Sequence, residues 1–200
     1  MLDRNIYPKI DLNTYQREAQ MKDGSKVLLR PMRAEDQDAL YEFFQSVSSE
    51  VARYLRDDVK SRLVVEKWAK NLDYTRTLPI LAEKEGVIIA DATINRRRFG
   101  WKWHLGTVRI FVHKGFRNLG LGQLIIEELS RIAYKLEIEK LIAEIPDTNT
   151  AAINSFTKAG FHQAAVIPNL AKDRQNMPVD VVTMVKDIKP AHDDTYDYDF

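Results

Sequence analysis

The sequence predicts an α/β (α+β) fold, a mixed sheet carrying helices, on three observations. An apolar run at 108–112, broken only by Arg109, leads through a glycine turn into a helical stretch at 121–136, and a further strand pattern follows at 140–145. Strand, crossover helix, strand is a βαβ unit, whose two strands run parallel. Next, two strand-like runs at 78–84 and 87–95 are joined by Glu85-Gly86, which predicts an antiparallel hairpin. Finally, Ala39, Leu40, Phe43, Phe44 and Val47, and again Val64, Val65, Trp68, Ala69 and Leu72, repeat with helical spacing. A sheet with both parallel and antiparallel neighbours and amphipathic helices follows.

Composition narrows the class. Two hundred residues with 44% hydrophobic and 30% charged content suit one globular domain with a full core. The formal net charge of +1 gives no global attraction to nucleic acid or to an anionic membrane. No apolar run approaches membrane-spanning length, and residues 1–9 lack a signal segment, so a cytoplasmic protein is expected. The chain has no cysteine, which excludes disulfides, Cys-ligated zinc and a cysteine nucleophile. His104, His113, His162 and His192 show no metal-binding spacing, so no metal is expected.

In order along the chain, residues 1–21 read as a polar arm, with Ile6, Tyr7, Ile10, Leu12 and Tyr15 as apolar points that pack on the domain or on a second copy. The domain is placed at 22–190. Lys22-Asp23-Gly24-Ser25 signals a turn, and 26–31 a strand stopped by Pro31. Helices are expected over 34–47, with apolar residues continuing at Val51, Tyr54 and Leu55, and from Ser61, which can cap the second. Residues 96–104 (Arg-Arg-Arg-Phe-Gly-Trp-Lys-Trp-His) form a basic, aromatic connection: a solvated hairpin tip, or a patch that docks an acidic partner or nucleic acid. The helix at 121–136 carries an apolar stripe of Leu121, Leu124, Ile125, Leu129, Ile132, Ala133 and Leu136, with Glu127 and Arg131 able to pair outside it. Asn149 caps a helix ending at Gly160. Strands follow at 161–167 and 179–185, separated by a loop with Pro168 and Pro178. The tail, 191–200, carries four aspartates and is predicted to be disordered.

The stretch that organises the chain is Arg117-Asn118-Leu119-Gly120-Leu121-Gly122. A glycine turn opening a helix leaves the first amides unpaired, with the positive end of the helix dipole behind them, and this suits a phosphate group. A Walker loop is excluded, because no Gly is followed by Lys-Ser or Lys-Thr. The dinucleotide fingerprint is excluded as well, because its third Gly is absent. An ordinary strand-to-helix turn, its glycines easing tight packing, remains the alternative.

These six residues resemble the pyrophosphate loop of the GNAT superfamily of N-acetyltransferases, Q/R-x-x-G-x-G/A between a strand and a helix. A further GNAT signature is matched by Ile145, Asn149, Ala152, Ile153, Phe156, Lys158, Gly160 and Phe161, with the spacing from Asn149 to Gly160-Phe161 kept without a gap. The resemblance covers roughly residues 22–188 and implies a GNAT fold: a mixed central sheet of six to seven strands with a splayed parallel pair, flanked by some four helices.

It also implies acetyl-CoA as co-substrate and direct transfer of the acetyl group to an amine. Phe111, Val112 and His113 would then meet the pantetheine arm through backbone groups. Arg117, Asn118, Leu119, Gly120, Leu121 and Gly122 would hold the pyrophosphate. Asn149 would face the arm from the other wall, with Phe156 packed along it and Lys158 at the nucleotide end. The backbone amide of Val112 would steady the oxyanion. Two positions depart from the family pattern. Phe156 stands where many relatives carry a Tyr acid, and Thr107 where lysine-modifying relatives carry a Glu. Glu144, on the neighbouring strand between apolar residues, is the nearest replacement base; a structural Glu in an ion pair is its other reading. The stretch from Lys22-Asp23-Gly24 to Arg30-Pro31 and Asp36 is similar to the GNAT modules of acyl-CoA synthetases and lysine acetyltransferases. The acceptor is therefore a protein lysine or N-terminus, or a small amine. A non-catalytic acyl-CoA-binding regulatory module is the rival reading. An arm that packs on a second copy would make a homodimer, and neither membrane nor nucleic acid is expected as a partner.

Overall fold

The computed structural model describes residues 10–47, 57–173 and 175–188. The expected apolar points Ile6, Tyr7, Val51, Tyr54 and Leu55, and the acidic tail, lie outside them. Eight strands form one sheet: β1 (Arg17–Gln20), β2 (Lys26–Pro31), β3 (Thr77–Lys84), β4 (Val87–Arg96), β5 (Leu105–Val112), β6 (Lys140–Pro146), β7 (His162–Lys172) and β8 (Pro178–Asp187). Their order across the sheet is β1-β2-β3-β4-β5-β6-β8-β7. All neighbours are antiparallel except β5 and β6, the pair that the crossover helix predicts. Four α-helices accompany the sheet among the described residues: α1 (Gln37–Gln45), α2 (Arg62–Lys70), α3 (Leu121–Lys135) and α4 (Thr150–Lys158).

The helices lie on both faces, and each face has its own core. On one, α3 and α4 pack Ile125, Leu129, Ile132 and Phe156 against Leu29, Ile80, Ala92, Val108, Leu141 and Ala143. On the other, α1 and α2 pack Leu40, Phe43, Phe44, Val65 and Ala69 against Met32, Leu81, Ile88 and Phe111. Alternation along each strand divides the residues between the two cores. The hairpin between β3 and β4 turns through Glu85 (φ 51°) and Gly86 (φ 81°). Two left-handed residues are what a tight two-residue turn requires.

Two elements differ from the expectation. Residues 17–20, read as arm, form β1, registered on β2 from Arg17↔Leu29 to Gln20↔Lys26. Ile10 and Leu12, expected to pack on the domain, are buried in the α3 core. Pro168 lies inside β7 rather than in a loop. β7 is an edge strand with a register shift between Ile167 and Ala171, and there a missing N–H costs no ladder bond. Ser61 does occupy the N-cap of α2, but its side chain makes no capping bond.

Glu128 is buried in α3, one turn from Leu124 and Ile125, and is not solvated. Its carboxylate accepts hydrogen bonds from the Tyr15 hydroxyl and from Arg17 Nη1 (2.6 Å), with Arg131 Nη2 at 3.9 Å. The neighbouring Glu127 accepts from Gln123 Nε2 at 3.0 Å. Tyr15 and Arg17, the first residue of β1, are thus fastened to the helix that opens at the glycine loop.

Candidate active site

The parallel pair comes apart. β5 and β6 are in register only at Leu105↔Lys140, Gly106↔Leu141 and Thr107↔Ile142. Gly106 allows the close approach: a Cβ there would meet Ile94 Cγ2 and Leu141 Cδ2, each at 3.0 Å. Beyond Thr107 and Ile142 the ladder stops. β5 still continues on β4 to Val112, and β6 on β8 to Pro146. A wedge therefore opens toward the C-terminal ends of the two parallel strands, which is where open α/β sheets bind ligands.

Hydrogen-bond phase decides which groups look into the wedge. The His113 N–H donates to the Ile89 carbonyl at 2.9 Å. Bonded pairs alternate in an antiparallel ladder, so Phe111 and Arg109 also bond to β4, and the peptide groups of Ile110 and Val112 point at β6. On the other wall, Asp147 N–H donates to the Asp180 carbonyl at 3.1 Å, and Ile188 N–H to the Glu139 carbonyl at 2.7 Å. By the same alternation Ala143 and Ile145 bond to β8, while Glu144 and Pro146 turn their peptide groups inward. The expected backbone contacts of Phe111 and His113 do not face the wedge: the Phe111 peptide groups and the His113 N–H bond to β4, and the His113 carbonyl accepts from the Phe116 N–H at 2.9 Å. The Phe111 ring lies in the opposite core, edge-on to Phe43 at 5.5 Å. His113 Nδ1 accepts from the Gly115 N–H at 3.2 Å, capping a short turn at Lys114–Phe116.

The glycine loop lies at the mouth of the wedge. Asn118 (φ 65°) and Gly120 (φ 79°) are left-handed, and Gly120 is the N-cap of α3. The first intrahelical bond runs from Leu124 N–H to the Gly120 carbonyl at 3.1 Å. The amides of Leu121, Gly122 and Gln123 precede it, and among the described residues no side chain caps them. Leu119 and Leu121 anchor the loop in the core beneath. Arg117 is exposed, and its Nε donates to the Val112 carbonyl at 3.4 Å, bridging loop and wedge. Lys22, which the sequence did not single out, crosses the loop. Its N–H donates to the Leu119 carbonyl at 3.0 Å, and its side chain runs so close that a Cβ on Gly120 would meet its Cγ at 3.1 Å and Cε at 3.2 Å. An exposed lysine amine from the β1–β2 turn thus joins Arg117 at the helix mouth.

On the β6 side, Asn149 caps α4, its Oδ1 accepting from the Ala152 N–H at 3.2 Å. The cap leaves the side-chain NH2 to face outward at the same end of the sheet as the glycine loop. Phe156 is buried in the α3 core, edge-on to Phe161 at 4.9 Å. Lys158 is exposed in the last turn of α4, where a cation suits the helix dipole. That end is about 13 Å along the helix from Asn149 at 1.5 Å per residue, so the structure does not bring the two together.

The sheet face under α1 and α2 carries polar groups beside the wedge. Glu144 is on β6, opposite Thr183, and is exposed rather than enclosed as expected. Asp91, on β4 opposite Phe111, was not singled out from the sequence. It is half-buried, yet its surroundings are dense and no cation offsets them, so burial pushes its carboxyl up to about 7. Strand alternation places it on the same face as Leu81 and Phe111, both in the α1 core. A carboxyl poised near neutrality, one strand from the wedge, is a marker of function.

The chain matches the Acetyltransferase (GNAT) family over residues 38–161, more than half its length. Solved structures share its fold. The GNAT domain of S. lividans PAT superposes with a TM-score of 0.72 at 20% identity, over 86% of this chain and 96% of that one. Ribosomal-protein-alanine N-acetyltransferase from Brucella melitensis gives 0.70 at 22%, over 80% and 98%. YncA, a putative acetyltransferase from Salmonella typhimurium solved with its cofactor acetyl-CoA, gives 0.69 at 18%, over 82% and 94%. With a wedge between parallel strands, an uncapped helix mouth at its end and a family match spanning both, the chain belongs to the GNAT acetyltransferase family.

Proposed function

We propose that this protein moves an acetyl group from acetyl-CoA to a primary amine by direct attack. The observation that carries the reading is the wedge, lined by inward peptide groups of Ile110 and Val112 and ending at three uncapped amides of α3. An extended pantetheine arm has the shape and the amides to take the missing strand's place, and a diphosphate suits the helix mouth. Arg117 and Lys22 add two cations there. Asn149 offers its NH2 from the other wall. The Val112 N–H, aimed into the wedge, polarises the thioester carbonyl and stabilises the oxyanion.

The acceptor arrives as an ammonium and must lose a proton. Glu144, expected from sequence as the base, borders the wedge and draws the ammonium in. Asp91 stands one strand further away and is the better base, taking the proton through a water. The amine nitrogen then bonds to the acetyl carbon and releases its second proton to solvent, the carbon–sulfur bond breaks, and the thiolate takes a proton from solvent, since Phe156 is buried and has none to give. Phe156 and Thr107 also suit the rival, an acyl-CoA-binding module without turnover.

Thiol release from acetyl-CoA against a panel of lysine peptides, N-terminal peptides and small polyamines separates the two. Amine-dependent release is expected; binding without release supports the rival. The rate should climb with pH through about 7 as the Asp91 carboxyl ionises. Asp91→Asn removes that climb and lowers kcat by about 10²-fold or more, with coenzyme affinity unchanged. The same variant has a signature independent of catalysis. The folded-state pKa of Asp91 lies above the ordinary 3.8, so stability falls as pH rises from about 4 to about 7 and the carboxyl is forced to ionise. Asp91→Asn should therefore unfold at higher denaturant than the parent at pH 8, by roughly 1–3 kcal/mol, and show no such gain below pH 4.

A further inference from the structure

The tip of the β4–β5 hairpin has large apolar side chains in solvent. Phe99 is 72% and Trp101 82% exposed. Arg98 lies over the Phe99 ring at 5.6 Å, and Lys102 over Trp101 at 4.8 Å. Among the described residues no carboxylate is within ion-pair distance of Arg97, Arg98 or Lys102. Arg96 differs: its Nε donates to the Thr75 carbonyl (2.9 Å) and its Nη1 to the Leu136 carbonyl (3.4 Å), so it braces the base of the hairpin. The result is a braced tip with three cations that have no ion-pair partner among the described residues, interleaved with two exposed rings. Exposed aromatic surface of this kind marks an interaction site.

We propose that this tip docks the chain's own acidic segment, residues 192–200. That segment carries Asp193, Asp194, Asp197 and Asp199, interleaved with Tyr196, Tyr198 and Phe200. Four carboxylates meet three cations, and three aromatic rings meet two. The two blocks are opposite concentrations of charge within a chain of net charge +1. Position supports the pairing. Ile188 N–H donates to the Glu139 carbonyl (2.7 Å), and Glu139 N–H to the His104 carbonyl (2.9 Å), so the last described residue stands two hydrogen bonds from the base of this hairpin. Two strand spacings are about 10 Å, and residues 189–191 alone reach about that far when extended. A tether this short holds the segment at an effective concentration of about millimolar, an advantage that no untethered acidic partner has. Nucleic acid is the weaker fit, since three cations release few counterions.

The tip lies at the opposite end of β5 from the glycine loop, so the proposal stands apart from the acetyl-transfer reading. The test compares the full chain with a chain ending at Ile188, using a synthetic peptide of residues 189–200 as probe and tryptophan fluorescence with the indole NMR signal of Trp101 as readouts. The truncated chain should take up the peptide, lose that uptake at least tenfold between 50 and 500 mM salt as about two to three exposed ion pairs are screened, and lose it with Trp101→Ala, an exposed substitution that leaves the fold intact. The full chain should bind the peptide at least about tenfold more weakly, its site being already filled by the tethered copy. The Asp→Asn peptide should not bind. Equal uptake by both chains, uptake by neither, a full-chain signal that depends on protein concentration, or preference of the truncated chain for an oligonucleotide over the peptide would each overturn the proposal.

Discussion

Replacing Gly122 by leucine should lower the affinity for CoA and acetyl-CoA by at least about tenfold, or 1.4 kcal/mol, while the protein melts at the same temperature or higher. The two effects have opposite signs because the position has two properties. Gly122 is in the first turn of α3, and a Cβ there meets nothing within 4 Å. A helical glycine is worth about 0.5–1 kcal/mol less than a residue with a side chain, so leucine costs the fold nothing and can help it. The empty space that it fills lies in front of the amides of Leu121–Gln123. Gly120 would not make so clean a test, since its φ of 79° and the Lys22 side chain both reject a Cβ. Calorimetric titration beside a thermal melt reads both quantities. Unchanged affinity in Gly122→Leu would mean that the diphosphate is held elsewhere.

The largest loss of stability is expected at Glu128. Glu128→Ala should cost about 3–4 kcal/mol, because it removes the acceptor of the Tyr15 hydroxyl and the counter-charge of Arg17 and leaves a cavity in α3. Burial pushes the Glu128 carboxyl up, and Arg131 and Lys135 draw it back down. Glu128→Gln keeps the shape and the Tyr15 bond, and should cost less. Urea unfolding of Glu128→Ala, Arg17→Met and the double variant reads the coupling directly. The double variant should recover part of the loss, since no charge is then stranded. Additive losses, or a cost under about 0.5 kcal/mol, would show that Glu128 does not fasten β1 to the helix.

These two sites also show where the sequence is readable. The glycine loop is legible because its signals are local: a left-handed turn needs Gly120, an open helix mouth follows it, and the apolar stripe after it has helical spacing. The Glu85-Gly86 turn is legible for the same reason. Asn149 and Gly160 bracket α4 as a cap and a left-handed stop. What escapes is set by distant contacts. Glu128 reads as a wet helix residue until Tyr15 and Arg17, more than a hundred positions earlier, close over it. Arg17–Gln20 is too short and polar to announce a strand, and only its register on β2 makes it one. Lys22 reaches Gly120 through the fold alone. Asp91 looks like the solvent side of an alternating strand, but its side chain shares a face with Leu81 and Phe111 of the α1 core. Glu144 is the converse: apolar neighbours in sequence suggested enclosure, while the wedge leaves it exposed.

The most direct test of the account is the amide NMR spectrum of the labelled protein titrated with CoA. The largest shifts are expected at Val112, at Asn118–Gln123 and at Lys22 and Asn149, with the residues of β1, β7 and the hairpin tip at 97–103 unmoved. No shifts at millimolar CoA, or shifts confined to surfaces away from the wedge and the α3 mouth, would contradict it.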